Sequence, residues 1–314
     1  MAGLIVNLKF AARQLARYPG FTVTVIVTLA LSIGANTAIF SIVNALMLKS
    51  LPYAQPERMG TIFARIQGPD AADERRWIDG EQWEGLRDRV PSIIPGLSSG
   101  LAGGANLQAG QTVQYIHDGR ISAHYLDVLS IRPMPGRNFT EDEDRPNGPK
   151  AAILSYSLWR NSFGSNRDMI GRAIRLKGEA YTVIGVLPQG ASTPLNGDLY
   201  TSIQASREGE GAGTNFSIIT RLRDGATWQQ ADAEINRAWA ERTAKYRSRH
   251  PGASVVYYSV PLQAGETSEL RPQALTLMLA AGFILLIACA NLAGLTLVRR
   301  APRIHQTAHW VAIA

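Results

Sequence analysis

The 314-residue sequence holds a single cysteine, Cys289, so no disulfide can staple any part of it to another. Acidic residues are absent from both ends: all 25 lie between Glu57 and Glu269. Charge of either sign is absent from residues 21–48 and again from 274–298. The usual marks of self-contained catalysis are missing as well. There is no Gly-x-Ser-x-Gly, no His-Glu-x-x-His and no cysteine cluster. No Gly-x-x-x-x-Gly-Lys-Ser/Thr occurs, so nothing cradles ATP. The chain is therefore expected to be no enzyme and to hold no cofactor or metal.

The two uncharged runs carry the first positive conclusion. A helix rises about 1.5 Å per residue, so about 20 apolar residues cross a bilayer core. Both runs exceed that length, which predicts transmembrane helices over 21–48 and 274–298. The hydroxyls and amides of the first run are tolerable where they face other helices. A cleaved signal is the competing reading of that run. Its apolar region is far longer than the usual 7–15 residues, and Ala45-Leu46-Met47-Leu48 is too bulky for a small-x-small cleavage site.

The net charge of +7 comes from Lys9, Arg13, Arg17, Lys49, Arg299, Arg300 and Arg303. Six of the seven flank the spans on their outer sides, which predicts two cytoplasmic ends and an extracytoplasmic segment over 49–273. The expected location is a cell membrane, with the large segment outside it. A pI near 9.7 does not point to nucleic acid, because the excess charge is juxtamembrane.

Residues 4–18 read as a basic amphipathic helix on the cytoplasmic surface, ended by Pro19-Gly20, with 299–314 as a cytoplasmic tail. Leu51-Pro52-Tyr53 and Pro56 mark the exit into the outer domain. Helices are expected over 79–89, 124–130, 155–163 and, as one long helix, 227–247. Strands are expected over 112–121, 151–154, 217–222 and 254–260. Residues 173–177 and 181–187 read as a hairpin around Gly178-Glu179. Residues 98–111, rich in Gly and Ala, read as loop or irregular strand. The pattern predicts a mixed α+β extracytoplasmic domain of two subdomains between two transmembrane helices.

The candidates for chemistry are weak. Glu141-Asp142-Glu143-Asp144 lacks calcium-loop spacing and reads as a solvated turn. His117 and Asp118 are adjacent in a strand and point to opposite faces. His124 stands alone, and Gly100, Gly103 and Gly104 lack a following helix. Trp77, Trp83, Trp159, Trp228 and Trp239 read as packing. In the spans, Gly34, Ala35 and Ala38 offer a small-residue face for close helix approach. Asn36 and Asn291 are candidates for interhelical hydrogen bonds.

Several longer stretches carry a resemblance. Arg13-Gln-Leu-Ala-Arg-Tyr-Pro-Gly-Phe21 and Leu29-Ala-Leu-Ser-Ile-Gly-Ala-Asn-Thr-Ala-Ile-Phe40 begin it. Leu51-Pro-Tyr53, Pro56-Glu-Arg58, Gly136-Arg-Asn-Phe-Thr140 and Leu154-Ser-Tyr-Ser-Leu-Trp159 continue it. Ile170-Gly-Arg172, Gly178-Glu-Ala-Tyr-Thr-Val-Ile-Gly-Val-Leu-Pro188 and Leu285-Leu-Ile-Ala-Cys-Ala-Asn291 complete it. In this order they resemble MacB-type, FtsX-like ABC transporter permeases of the duplicated orphan branch.

The resemblance implies a permease subunit that transmits motion from a separate ABC ATPase to an outer domain. It implies assembly with further spans or a second copy, and a periplasmic adaptor as partner. It also implies at least two more spans than this sequence holds, so a truncated permease is a competing expectation. The family's ATPase contact follows the second span as Glu-Ile-Ala-x-Arg-x-Ala-Leu-Gly. Its counterpart here is degenerate: Gln306, Ala308 and Trp310 lie in a segment without the acid, the arginine and the glycine. A membrane-anchored module that binds partners or regulates a hydrolase without transport is the remaining reading.

Overall fold

The computed structural model describes residues 17, 19–44, 50–68, 72–109, 112–268 and 270–311. The amphipathic segment expected over 4–18 lies outside them except for Arg17, and so do residues 45–48 of the first apolar run. One unit of the chain holds the two long helices, and the other is Ser50–Gly265.

The first long helix, α1, spans Pro19–Val43. Proline suits the first helical position, where its missing N–H has no partner to lose. The outer unit opens with β1 (Met59–Gln67), β2 (Ala72–Arg75), α2 (Gly80–Arg89) and β3 (Ile93–Ser98). Helix α2 starts on a capping box. Asp79 accepts from the Gln82 backbone N–H at 2.9 Å, and Gln82 Oε1 accepts from the Asp79 N–H at 3.3 Å.

The middle of the chain supplies β4 (Gly103–Ala109), β5 (Thr112–Ile121), α3 (Tyr125–Val128), β6 (Ala151–Leu154), α4 (Tyr156–Phe163), β7 (Ala173–Leu176), β8 (Glu179–Val186) and β9 (Leu199–Ser202). The last part supplies β10 (Ser217–Leu222), α5 (Trp228–Ala238), α6 (Ala240–Arg249), β11 (Ser254–Pro261), α7 (Leu262–Glu266) and the second long helix, α8 (Arg271–Val311).

The two expected subdomains are two parts of one continuous sheet. In the first part β11 pairs with β1 over eight residues, and β1 continues to β10 and then β3. In the second part β5, β4, β7, β8, β6 and β9 follow one another, and β9 returns to β5 in parallel register. Six strands thus close into a ring that leaves no free edge. The ring is filled by Leu107, Ile116, Leu154, Ile174, Val183 and Leu199, with Leu158 and Trp159 of α4 packed among them. The first part buries Trp83, Leu86, Ile235 and Trp239 against Ile62, Leu97, Ile218 and Tyr257.

Three expectations need correction. Within the stretch over 98–111, read as loop or irregular strand, Gly103–Ala109 is a regular strand. Ala105 and Leu107 alternate inward, and pairing with both β5 and β7 overrides the poor strand propensity of its glycines. The helix expected over 227–247 is two helices, broken at Trp239 (φ −104°, ψ 15°). Burial decides the break: Trp239 is 2% exposed, and its indole N–H donates to the Gln82 carbonyl at 2.8 Å. The β7–β8 turn sits one residue earlier than expected, on Lys177 and Gly178, both at positive φ (52° and 86°) as a tight hairpin demands.

Gly136 has φ +102°, and a Cβ there would stand 2.2 Å from the Ile184 carbonyl oxygen. Gly136→Ala is therefore expected to cost about 2–4 kcal/mol, seen as a fall of about 5–10 °C in the melting temperature. Gly190→Ala, at φ +79° in open space, should cost only about 1 kcal/mol. Equal falls for the two variants would refute the role given to the close approach.

Candidate functional site

The two long helices pack along each other on a narrow seam. Their apolar windows, Thr22–Val43 and Arg271–Asn291, are only 6% and 11% buried. Core helices of a soluble protein would be mostly buried. Leu31 and Leu279, at 69% and 66% exposure, point away from the protein as lipid-facing side chains do.

Of the residues named as helix-packing candidates, Asn36 lies on this seam. Ser32 and Val43 of α1 are buried and Asn36 is half-buried, and on α8 Ala281 and Ala288 are buried. Asn36 Nδ2 donates across the pair to the Ala281 carbonyl at 3.1 Å, and within its helix to the Ser32 carbonyl at 2.9 Å. The small residues that permit close approach therefore sit on α8, spaced seven apart on one stripe. Gly34, Ala35 and Ala38 are exposed on another side of α1, and nothing lies within 4 Å of the space a Gly34 Cβ would fill. Asn291 is exposed too and has no hydrogen-bond partner among the described residues.

Four hydroxyls of α1 are satisfied within the helix. Thr24, Thr28, Ser32 and Ser41 each donate to the carbonyl four residues earlier, at 2.7–2.9 Å. Past the second apolar window α8 continues without a break to Val311. Its 41 residues span about 60 Å, twice a hydrocarbon core of about 30 Å. Gln306, Ala308 and Trp310 lie on this continuation, and their side chains fall outside the described part.

Residues 51–58 form a strap that leads into β1, and it is tied down from β10. Arg221 is 7% exposed. Its Nε donates to the Val128 carbonyl at 2.6 Å, Nη2 to the Ala54 carbonyl at 2.8 Å and Nη1 to the Gln55 carbonyl at 3.4 Å. Burial lowers its pKa from the ordinary arginine value. From the strap itself, Arg58 donates to the Leu222 carbonyl and to Asp224, both at 2.7 Å. Leu51 and Tyr53 pack on the core around Tyr125 and Leu126. The strap motifs were legible in sequence and Arg221 was not. Its one signal is a charge inside a strand whose remaining residues are nearly all buried.

The acidic stretch is half of what was expected. Glu141 and Asp142 are exposed, but Glu143 and Asp144 are structural. Glu143 takes a two-pronged contact from Arg137 (2.7 and 2.8 Å) that holds its carboxyl below the usual range. Asp144 accepts from the Ala123 N–H, the Ser202 hydroxyl and the Gln204 N–H, and burial pushes its carboxyl up. No set of three metal-ligating side chains gathers among the described residues. His117 and Asp118 do face opposite ways: His117 reaches Asp198 at 3.1 Å, while Asp118 is buried against Thr201 at 2.9 Å. Trp83, Trp159 and Trp239 are core residues, and Trp228 packs against the core.

The family profile described as MacB-like periplasmic core domain matches residues 22–238, from inside α1 to the end of α5. The chain belongs to this family. It is a membrane protein in which a MacB-like extracytoplasmic domain, of the kind carried by ABC-type transporter permeases, lies between two apolar helices. Similar solved structures include the periplasmic region of MacB from Actinobacillus actinomycetemcomitans, at TM-score 0.44 and 16% identity, covering 68% of this chain and 92% of that one. They also include the extracellular domain of the noncanonic ABC-type transporter YknZ from Gram-positive bacteria, at TM-score 0.42 and 17% identity, covering 64% and 99%. A search of curated protein sequences finds no match for the MacB-like chain.

Proposed function

We propose that the chain is a permease subunit of an ABC-type exporter that passes motion from a separate cytoplasmic ATPase to its outer domain. The observation that carries this reading is the way the outer domain begins and ends. Strands β1 and β11 are antiparallel partners, with Gly60 opposite Pro261, so the segments leading from both spans arrive at neighbouring strand ends. A displacement of either helix then acts on the same end of two paired strands. The strap over residues 51–58, held by Arg221 and Arg58, stiffens the part of the first connection next to β1.

The basic residues outside the spans favour cytoplasmic ends. The unbroken α8 offers a rod on which a segment such as Gln306–Trp310 can meet an ATPase. Gly34, Ala35, Ala38 and Asn291 lie where further spans or a second copy can pack, because an amide left in lipid is costly. Two spans enclose no pathway, so assembly is part of the proposal.

The test is purification of the tagged full chain from native membranes with identification of what comes with it. Recovery of an ATP-binding-cassette subunit is expected. Recovery of extracytoplasmic proteins with no ATPase would reject coupling and favour the anchored binding module.

A further inference from the structure

We propose that the groove between α6 and the β1–β11 surface binds a small anionic amphiphile, an apolar or aromatic body bearing an acidic group. The floor is apolar and built from register. Ala64 and Ile66 of β1 stand opposite Tyr257 and Val255 of β11, two cross-strand pairs on one face. Next to Ala64, in register on β2, comes Arg75.

One wall is a single face of α6. Arg242, Lys245, Tyr246 and Arg249 recur at spacings of three and four, the period that stacks side chains on one side of a helix. The Tyr246 ring lies on the His250 ring, centroids 4.3 Å apart and planes 18° from parallel. The opposite wall includes Trp77, whose ring is so close over Gly100 that a Cβ there would come within 2.2 Å of it. The groove encloses about 360 Å³, within the range of small-molecule sites of about 300–1,000 Å³.

The sign of the ligand follows from which charges are already matched. Arg242 pairs with Asp79 and lies 3.7 Å from Glu81, and Arg75 pairs with Asp73 at 2.6 Å. Glu81 is the only acid in the lining. Lys245 and Arg249 have no acidic partner among the described residues, so a positive surplus stands over an apolar floor. Solvated cations on a helix are common on their own. Their coincidence with two aromatic walls and an apolar floor distinguishes this groove, because an amphiphile satisfies both at once. The larger groove beside α2 and α3, about 820 Å³, gives no such preference: its four arginines (Arg87, Arg89, Arg145, Arg223) face four acids.

The test uses the full chain in nanodiscs of zwitterionic phosphatidylcholine, with empty nanodiscs subtracted. The probe is 8-anilinonaphthalene-1-sulfonate, and the control is its uncharged analogue N-phenyl-1-naphthylamine. Saturable binding of the sulfonate is expected, at least tenfold tighter than the neutral analogue. Lys245→Glu/Arg249→Glu should weaken it about tenfold or more, and Arg89→Glu/Arg223→Glu in the larger groove should leave it unchanged. Melting by circular dichroism checks the fold. If the charge reversals lower it, Lys245→Gln/Arg249→Gln repeats the test with a smaller but definite loss expected. No saturable binding above empty nanodiscs, equal affinity for the neutral analogue, an unchanged affinity in the α6 variants, or a loss that follows Arg89 and Arg223 would each overturn the proposal. None of these outcomes depends on whether the chain couples to an ATPase.

Discussion

Replacing Arg221 with methionine is expected to lower the stability of the outer domain by about 2–4 kcal/mol and to free the strap over residues 51–58. Methionine keeps much of the apolar stem, so packing is largely retained and the guanidinium is what is lost. Three carbonyls, of Val128, Ala54 and Gln55, then lose a charged donor. A hydrogen bond to a charged group contributes about 1.5–3 kcal/mol. The sum is not reached, because the strap carbonyls are only partly buried and water replaces the donor there. For a domain of this size the loss corresponds to about 5–12 °C in melting temperature. Hydrogen exchange supplies the specific readout. Amides of 51–58 should lose protection while those of β6 and β8, inside the ring, keep theirs. Unchanged protection in the strap would show that Arg221 does not hold it.

Trp239→Ala is expected to have the larger effect, about 3–5 kcal/mol, or roughly 8–15 °C. The indole fills the space between α2 and the sheet. Its N–H bonds the Gln82 carbonyl, and its ring meets Tyr257 edge-on with centroids 4.5 Å apart. Gly85 completes the fit, since a Cβ there would lie 3.1 Å from the indole. Alanine leaves a cavity, takes the indole donor from a buried carbonyl and removes the reason for the break between α5 and α6. Trp239→Phe separates these causes. It keeps most of the packing and loses the N–H, so a cost of about 1–2 kcal/mol is expected. A loss in Trp239→Phe as large as in Trp239→Ala would mean that the hydrogen bond, and not the filled volume, dominates.

The break at Trp239 also shows where reading from sequence ended. The periodicity of residues 227–247 is continuous, because each half presents its apolar side at helical spacing. Only the sheet beneath requires the two halves to diverge. The ring poses the same problem. Strand β5 was legible to the residue from its alternation, and β10 to the residue as a strand. Strand β4 was not, because Gly-Gly-Ala has no strand propensity and is held by neighbours on both sides. That β9 returns to β5 is a choice of partner between distant segments, which no local pattern encodes.

What the sequence determined by itself is what depends on local composition. The two apolar runs have no charge to break them. The acidic residues stop at Glu57 and Glu269. The motifs from Arg13 to Asn291 resemble those of the family whose profile matches residues 22–238. What only tertiary structure decided is which side of each element is used. Asn36 was marked by its amide, but a helix apolar all round carries no stripe to mark the rest of its packing face, so Gly34, Ala35 and Ala38 were as plausible from sequence as Ser32 and Val43. The seam is set by fit against Ala281 and Ala288, where a backbone carbonyl comes within reach of one amide. Arg221 is the same case in the outer domain: a charge inside a strand is an anomaly in one dimension, and becomes a clasp only when the strap is folded beneath it.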